Sequence, residues 1–215
     1  MKSAEFVYKD RLGKIIGSMT NDGEEVRVFL GKWEFVGTEF NDLEPKNKEA
    51  LPDRFNLHHN ALCDCTFDFK MPILINNKQK LMQSELSVMV KLGKPDSRGG
   101  LDNEEYRISL TYDGTQVYSS GKSGWFEDEL LEIQKQMSKK VFIKSCINCQ
   151  FSDYSPYGHG AFGAMMCFRN LKQEYNKVQT KTDFWKIHDR YDRFVQETFI
   201  CDEFQRRVPG TGYRG

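Results

Sequence analysis

The sequence has no net charge to work with: 31 Lys and Arg balance 31 Asp and Glu over 215 residues. Without an overall field, nothing draws it at long range to nucleic acid, an acidic membrane surface or an acidic substrate. From Cys146 onward there are 10 basic against 8 acidic residues, an excess too small to argue for phosphate binding. No run approaches the ~18 consecutive apolar residues of a membrane span, and the opening Met1-Lys2-Ser3-Ala4-Glu5-Phe6 lacks the apolar core of a signal peptide. A cytoplasmic protein with no membrane and no nucleic-acid partner is therefore expected. Also missing are a G-x-S-x-G elbow, an H-E-x-x-H pair, a phosphate loop and any paired carboxylates, so no catalytic residue is assigned.

What is present is aromatic and globular. With 16 Phe, 9 Tyr and 3 Trp the chain can fill a core, which excludes a disordered segment. Its length suits one large domain, or a core domain with a smaller annex, since domains run to ~100–150 residues. Short β-like groups come first: Phe6 and Tyr8, then Ile15 and Ile16, then Val26, Val28 and Leu30, then Trp33 and Phe35. Asn21-Asp22-Gly23 supplies a turn between the second and third. Residues 41–60 read as a polar surface connection ending in His58-His59. Adjacent histidines on a strand point to opposite faces, so these two are read as loop residues that share no metal.

The clearest period follows. Cys63, Cys65, Phe67, Phe69, Met71, Ile73 and Ile75 occupy alternate positions, which predicts a strand with one buried face and both cysteines turned inward as small hydrophobes. Pro72 lacks a backbone donor and predicts an edge or an interruption there. Returning strands through Val88 and Ile108, with a turn at Asp113-Gly114, extend an antiparallel sandwich or strongly curved sheet. The period then changes: Phe126, Leu130, Ile133 and Met137 fall at helical spacing, with Ser123 as the expected N-cap. Val141 and Ile143 form a short strand leading to Cys146.

Cys146, Cys149, Cys167 and Cys201 have 2, 17 and 33 residues between successive members. A C-x-x-C pair turns both sulfurs toward one point, and two distant thiols can complete a tetrahedral shell. In a reducing cytoplasm such cysteines are ligands or buried thiols sooner than disulfides. A structural Cys₄ Zn²⁺ site is the leading reading; a [4Fe-4S] cluster uses the same donors, and buried thiols or a redox pair use none. His159 or His188 could replace one thiol, though each reads first as an ordinary surface or core histidine. Helical spacing of Phe168, Leu171, Tyr175 and Val178 predicts a helix with Cys167 at its N-terminus. Thr180-x-x-Asp183 predicts a capped second helix, and Gln196 to Ile200 a strand. Ser152, Asp153 and His159 contain the letters of a catalytic triad but lie too close in sequence for its geometry. Asp153 and Tyr154 are instead expected to hydrogen-bond around the ligands, and Arg169, Arg206, Arg207 and Arg214 to offset the negative charge, with Arg206 and Arg207 read rather as solvated surface. The fold expected is α+β: a β-rich scaffold over residues 1–145 and a Cys₄-stapled, largely helical annex over 146–215.

The runs C-I-N-C-Q-F-S-D-Y-S-P-Y-G (Cys146 to Gly158), G-A-M-M-C-F-R (Gly163 to Arg169), V-Q-E-T-F-I-C-D-E-F (Val195 to Phe204) and the closing G-Y-R-G resemble an uncharacterised family of bacterial domains of unknown function. The resemblance extends upstream through S-G-W-F-E (Ser123 to Glu127). It implies a bacterial, soluble, metal-stapled protein and, by analogy with proteins of this general kind, an immunity-type or accessory factor. A non-enzymatic protein that presents the Tyr154-to-Phe162 loop and the Gly210-to-Gly215 tail to an unknown protein partner is the functional expectation. The alternative is an iron–sulfur or thiol-redox protein, with or without enzymatic activity, using the same cysteines.

Overall fold

Alternation of apolar and polar residues governs the first two thirds of the chain in the computed structural model, which describes residues 3–48, 51–78, 80–211 and 213. Four strands run as a meander: β1 Ala4–Asp10, β2 Gly13–Asn21, β3 Val26–Leu30 and β4 Trp33–Gly37, each antiparallel to the next, with β5 Glu44–Pro45 added beside β4. The β2–β3 turn closes where expected, because the Asn21 and Asp22 side chains accept the amides of Gly23, Glu24 and Glu25. A separate hairpin follows, β6 Leu57–His58 with β7 Ala61–Leu62. Next come β8 Cys65–Asn77, β9 Lys80–Leu92, β10 Glu104–Tyr112 and β11 Thr115–Tyr118. They complete one continuous sheet in the order β11-β10-β9-β8-β1-β2-β3-β4-β5, and β12 Val141–Ile143 also pairs with β8.

The alternation in β8 does what a one-sided sheet requires. Cys65, Phe67, Phe69, Met71, Ile73 and Ile75 are buried, as is Cys63 just before the strand. Strand β8 is an interior strand, not an edge, and Pro72 marks an interruption on one side of it, between the stretch paired with β1 (66–69) and the stretch paired with β12 (75–77). At the β10–β11 turn, Asp113 and Gly114 both have positive φ, 49° and 73°, the requirement of a two-residue primed turn.

Two units emerge from the pattern of contacts, one comprising 1–72 with 84–137, the other 73–83 with 138–215. The β8–β9 hairpin tip and residues 138–145 thus group with the cysteine segment. In the first unit, Phe40 packs against Phe69 and Phe126 at 4.8 and 6.0 Å between ring centres, and the Asn41 amide donates to Glu104, so the connection after β4 lies over the buried face. Helix α1, Phe126–Gln136, buries Phe126, Leu130 and Ile133 and packs on β10 and β11. Its start differs from expectation. Trp125 occupies the N-cap without a side-chain bond, and Ser123 instead donates its hydroxyl to the buried carboxylate of Glu129 at 2.6 Å. Glu129 also accepts the amides of Gly121 and Ser123 at 2.7 and 2.9 Å, reaching back from the first turn as a capping-box acid does.

The second unit is less helical than expected. A 3₁₀ turn Arg169–Leu171 runs into α2, Lys172–Tyr175, and α3 spans only Lys181–Trp185. Thr180 does cap α3, its hydroxyl accepting the Asp183 amide at 3.1 Å. Phe168, Tyr175 and Val178 share one core with Phe151, Met166, Phe184 and Ile187, so the spacing marked a buried face correctly although no single helix carries it. Cys167 ends a strand and does not begin a helix: β13 Ser152–Asp153, β14 Met165–Cys167 and β15 Phe194–Val195 form a small antiparallel sheet. Gln196 to Ile200 is turn and coil, because its carbonyls at Glu197 and Phe199 are taken by the amides of Ile147 and Cys146.

Candidate metal centre

Backbone pairing within the second unit lays the segments that carry the four late cysteines alongside one another. β12 delivers the chain to Ser145, and the Asn148 amide fastens the next turn by donating to Ile143 O at 2.9 Å. Cys146–Asn148 is a 3₁₀ turn whose Cys146 carbonyl accepts the Cys149 amide at 3.0 Å, the tight knuckle that a C-x-x-C pair needs. Cys146 N donates to Phe199 O at 3.0 Å, which holds the chain two residues from Cys201 beside the knuckle. Ser152 lies opposite Cys167 in the β13–β14 register. Segment 205–207 runs alongside Asn148 to Gln150, with bonds of 2.7 Å from Gln150 N to Gln205 O and 2.9 Å from Arg207 N to Asn148 O.

The electrostatics reflect this arrangement. Burial pushes the Cys146 thiol far up, and the neighbouring Cys149, Cys167, Cys201 and Glu197 push it further in that order. Cys167 is raised by burial too, against the opposing pull of the Arg169 amide and guanidinium. Cys146, Cys149 and Cys167 are buried and Cys201 is half-buried; none is in a disulfide. Two backbone amides point at sulfur: Glu203 N donates to Cys201 Sγ at 3.4 Å, and Arg169 N bonds to the Cys167 thiol. The bond to Cys167 works to lower its pKa against the burial that raises it. Among the described residues no group of three or more His, Cys, Asp or Glu side chains is arranged to hold an ion as it stands. The four cysteines form no closed shell in this structure.

A family model for a family of unknown function (DUF6304) matches residues 3–152. The chain belongs to that family. The match takes in the first unit from residue 3 on and both cysteines of the knuckle and stops at Ser152, so Cys167 and Cys201 lie beyond it. No curated protein and no solved structure matches the chain.

The residues expected around the ligands hold the unit together. Arg169 pairs with Asp192 at 2.7 Å; burial draws its guanidinium value down, while Asp192, Cys167, Cys201 and Glu203 outweigh that and raise it. It lies close enough to Cys167 and Cys201 for their charges to act on it. Asp153 Oδ1 accepts the Tyr154 amide and Oδ2 the Tyr175 hydroxyl at 2.6 Å. Tyr154 donates to Glu197 Oε1 at 2.6 Å, and Glu197 Oε2 accepts the Gly163 amide at 2.8 Å. Arg207 is no solvated surface residue, since its guanidinium donates to Ser152 O and to the Tyr175 hydroxyl. Arg206 lies over the Phe142 ring at 4.3 Å. Arg214, and all of the closing G-Y-R-G except Tyr213, lie outside the described residues. The triad letters serve other bonds: the Ser152 hydroxyl goes to Cys146 O, and the His159 ring bonds Gly160 O and rests on Tyr154. His188 stacks on Trp185 at 5.1 Å.

Sequence reasoning missed Glu197 altogether. It is fully buried, adjoins Cys146, and ties the Tyr154-to-Gly163 loop to the segment that anchors the knuckle. The only signal for it was an acid inside the run Val195 to Ile200. That same unit carries an exposed aromatic group: Tyr157 and Trp185 are 53% and 60% exposed and meet edge-on at 5.2 Å, with Lys181 Nζ 4.1 Å above the Tyr157 ring. Among the described residues no helix is long and apolar enough to cross a membrane.

Proposed function

We propose that the C-terminal unit is a Cys₄ module in which Cys146, Cys149, Cys167 and Cys201 hold a structural Zn²⁺, and that the protein is a non-enzymatic interaction or accessory factor working in a reducing cytoplasm. What supports this reading is the backbone: the Cys146 amide bonds Phe199 O, two residues from Cys201, and Ser152, whose hydroxyl bonds Cys146 O, pairs with Cys167 across β13–β14, although these cysteines lie up to 55 positions apart in the chain. Thiols that ionise close to one another repel, and a divalent cation removes that repulsion. The donor set fits zinc, which takes thiolates at ~2.3 Å in a tetrahedron. Binding draws the sulfurs into a shell, and Arg169 offsets part of the negative charge that four thiolates leave around the ion.

The exposed Tyr157 and Trp185 favour recognition of a protein over catalysis, because large aromatics left in solvent are the anchors that partner surfaces bury. Elemental analysis with an absorption spectrum, on protein purified without added metal, tests the proposal. A colourless protein with one zinc per chain supports it. A brown protein containing iron and sulfide replaces zinc with a cluster, and a metal-free protein with four titratable thiols removes the site.

A further inference from the structure

The first unit contains a second arrangement of ligand atoms, unrelated to the cysteines. His58 ends β6, and the chain then turns through His59 and Asn60, whose φ angles of 46° and 73° place both in the left-handed region. That turn defeats the strand rule by which neighbouring side chains face opposite ways. The two imidazole rings lie 4.1 Å apart between centres, and both Nε2 atoms approach the carbonyl oxygen of Gly99, at 3.0 and 3.2 Å. The oxygen is held from its own side. Asp96 accepts the amides of Arg98 and Gly100 on Oδ1 at 2.9 and 3.0 Å, and its backbone bonds to Gly100 and Gly99 close the 96–100 loop.

We propose that His58 Nε2, His59 Nε2 and Gly99 O form a binding site for a divalent transition-metal ion of the nickel, copper or zinc type, with water completing its coordination. Imidazole is the donor those ions prefer. Ligands standing ~2.0–2.1 Å from one ion at tetrahedral or right angles are themselves ~3.0–3.4 Å apart, the spacing seen between each ring nitrogen and the carbonyl. His59 is exposed and His58 half-buried, and neither belongs to the core, so the ion enters without rearranging it. Once bound, it links the 57–62 hairpin to the 93–102 loop.

The test uses Ni²⁺ as the probe, added to ¹⁵N-labelled full-length protein and followed by paramagnetic broadening of amide signals and by calorimetry. His58→Gln and His59→Asn each keep a side-chain amide able to donate to Gly99 O while removing the imidazole, and Asn tolerates the positive φ at position 59. Unchanged signals away from residues 57–62 and 93–102 establish that both variants fold. The expected result is first broadening at residues 58–61 and 98–100 in the wild type. Either substitution should weaken that event by at least the ~10–100-fold that losing even an outer partner of a ligand costs. Equal Ni²⁺ affinity in both variants, or broadening confined to residues 146–201, overturns the site and leaves two hydrogen bonds to a shared carbonyl.

Discussion

At the scale of single residues, the strongest dependence in the first unit falls on Glu129. Its carboxylate is buried and satisfies three donors from Gly121 and Ser123. Burial works to raise its pKa, but the hydrogen bonds from Ser123, Ser119 and Gly121 outweigh it and leave the value below the ordinary glutamate range. A folded value below the unfolded one contributes stability that is present above the unfolded pKa and is lost as pH falls through the folded pKa. Glu129→Ala should therefore cost ~1–3 kcal/mol in urea unfolding at pH 7, the penalty for orphaned buried donors, and the gap to wild type should narrow steadily in acid below the glutamate range. A gap independent of pH would mean that the side chain acts through packing alone.

Cysteine variants separate the two sets of thiols at this same scale. Cys63→Ser exchanges one small buried group for another in a β core and should lower the melting temperature modestly. Cys146→Ser and Cys167→Ser should each cause a large loss of melting temperature or soluble yield, because a bound ion contributes folding free energy that a missing ligand forfeits. Equal, small losses at all three positions would count against the metal. The sequence made the roles of Cys63 and Cys65 legible because one buried sheet face imposes a period of two. It did not reveal Glu197, nor that Asp153 would bond Tyr175, since a carboxylate is buried only when distant partners meet it, and Tyr154, Tyr175 and Gly163 are specified by nothing local.

At the scale of elements, close backbone approach decides what substitution does. A Cβ at Gly17 in β2 would meet Phe29 O at 2.1 Å and Leu30 Cδ2 at 2.9 Å, whereas at Gly114 it would meet nothing within 4 Å. Gly17→Ala should cost ~1–3 kcal/mol or more by overpacking the β2–β3 pair, and Gly114→Ala only the ~1–2 kcal/mol of a left-handed L-residue. The opposite ranking in thermal unfolding would refute the meander geometry. Strands, α1 and the Thr180 cap were readable because period and cap chemistry are local signals. The second unit resisted, since its strands are two or three residues long and are fixed by bonds such as Gln150 N to Gln205 O, which leave no periodic trace.

At the scale of the whole molecule, a sheet with strands of up to 13 residues contrasts with a unit whose strands β13 to β15 are two or three residues long. The second unit has little regular structure to hold it, and small domains with thin cores commonly depend on metals or disulfides. Its aromatic packing around Phe168 and Tyr175 and its buried Asp153 and Glu197 networks belong to the same unit as the late cysteines, so a chelator that strips the proposed ion should loosen the exposed Tyr157–Trp185 surface before the sheet melts. The most direct measurement of the central claim is X-ray absorption at the zinc edge on protein as purified. The account predicts four sulfur scatterers at ~2.3 Å, falling to three in Cys201→Ser. A shell of nitrogen and oxygen, or a sulfur count unchanged by that substitution, would contradict it.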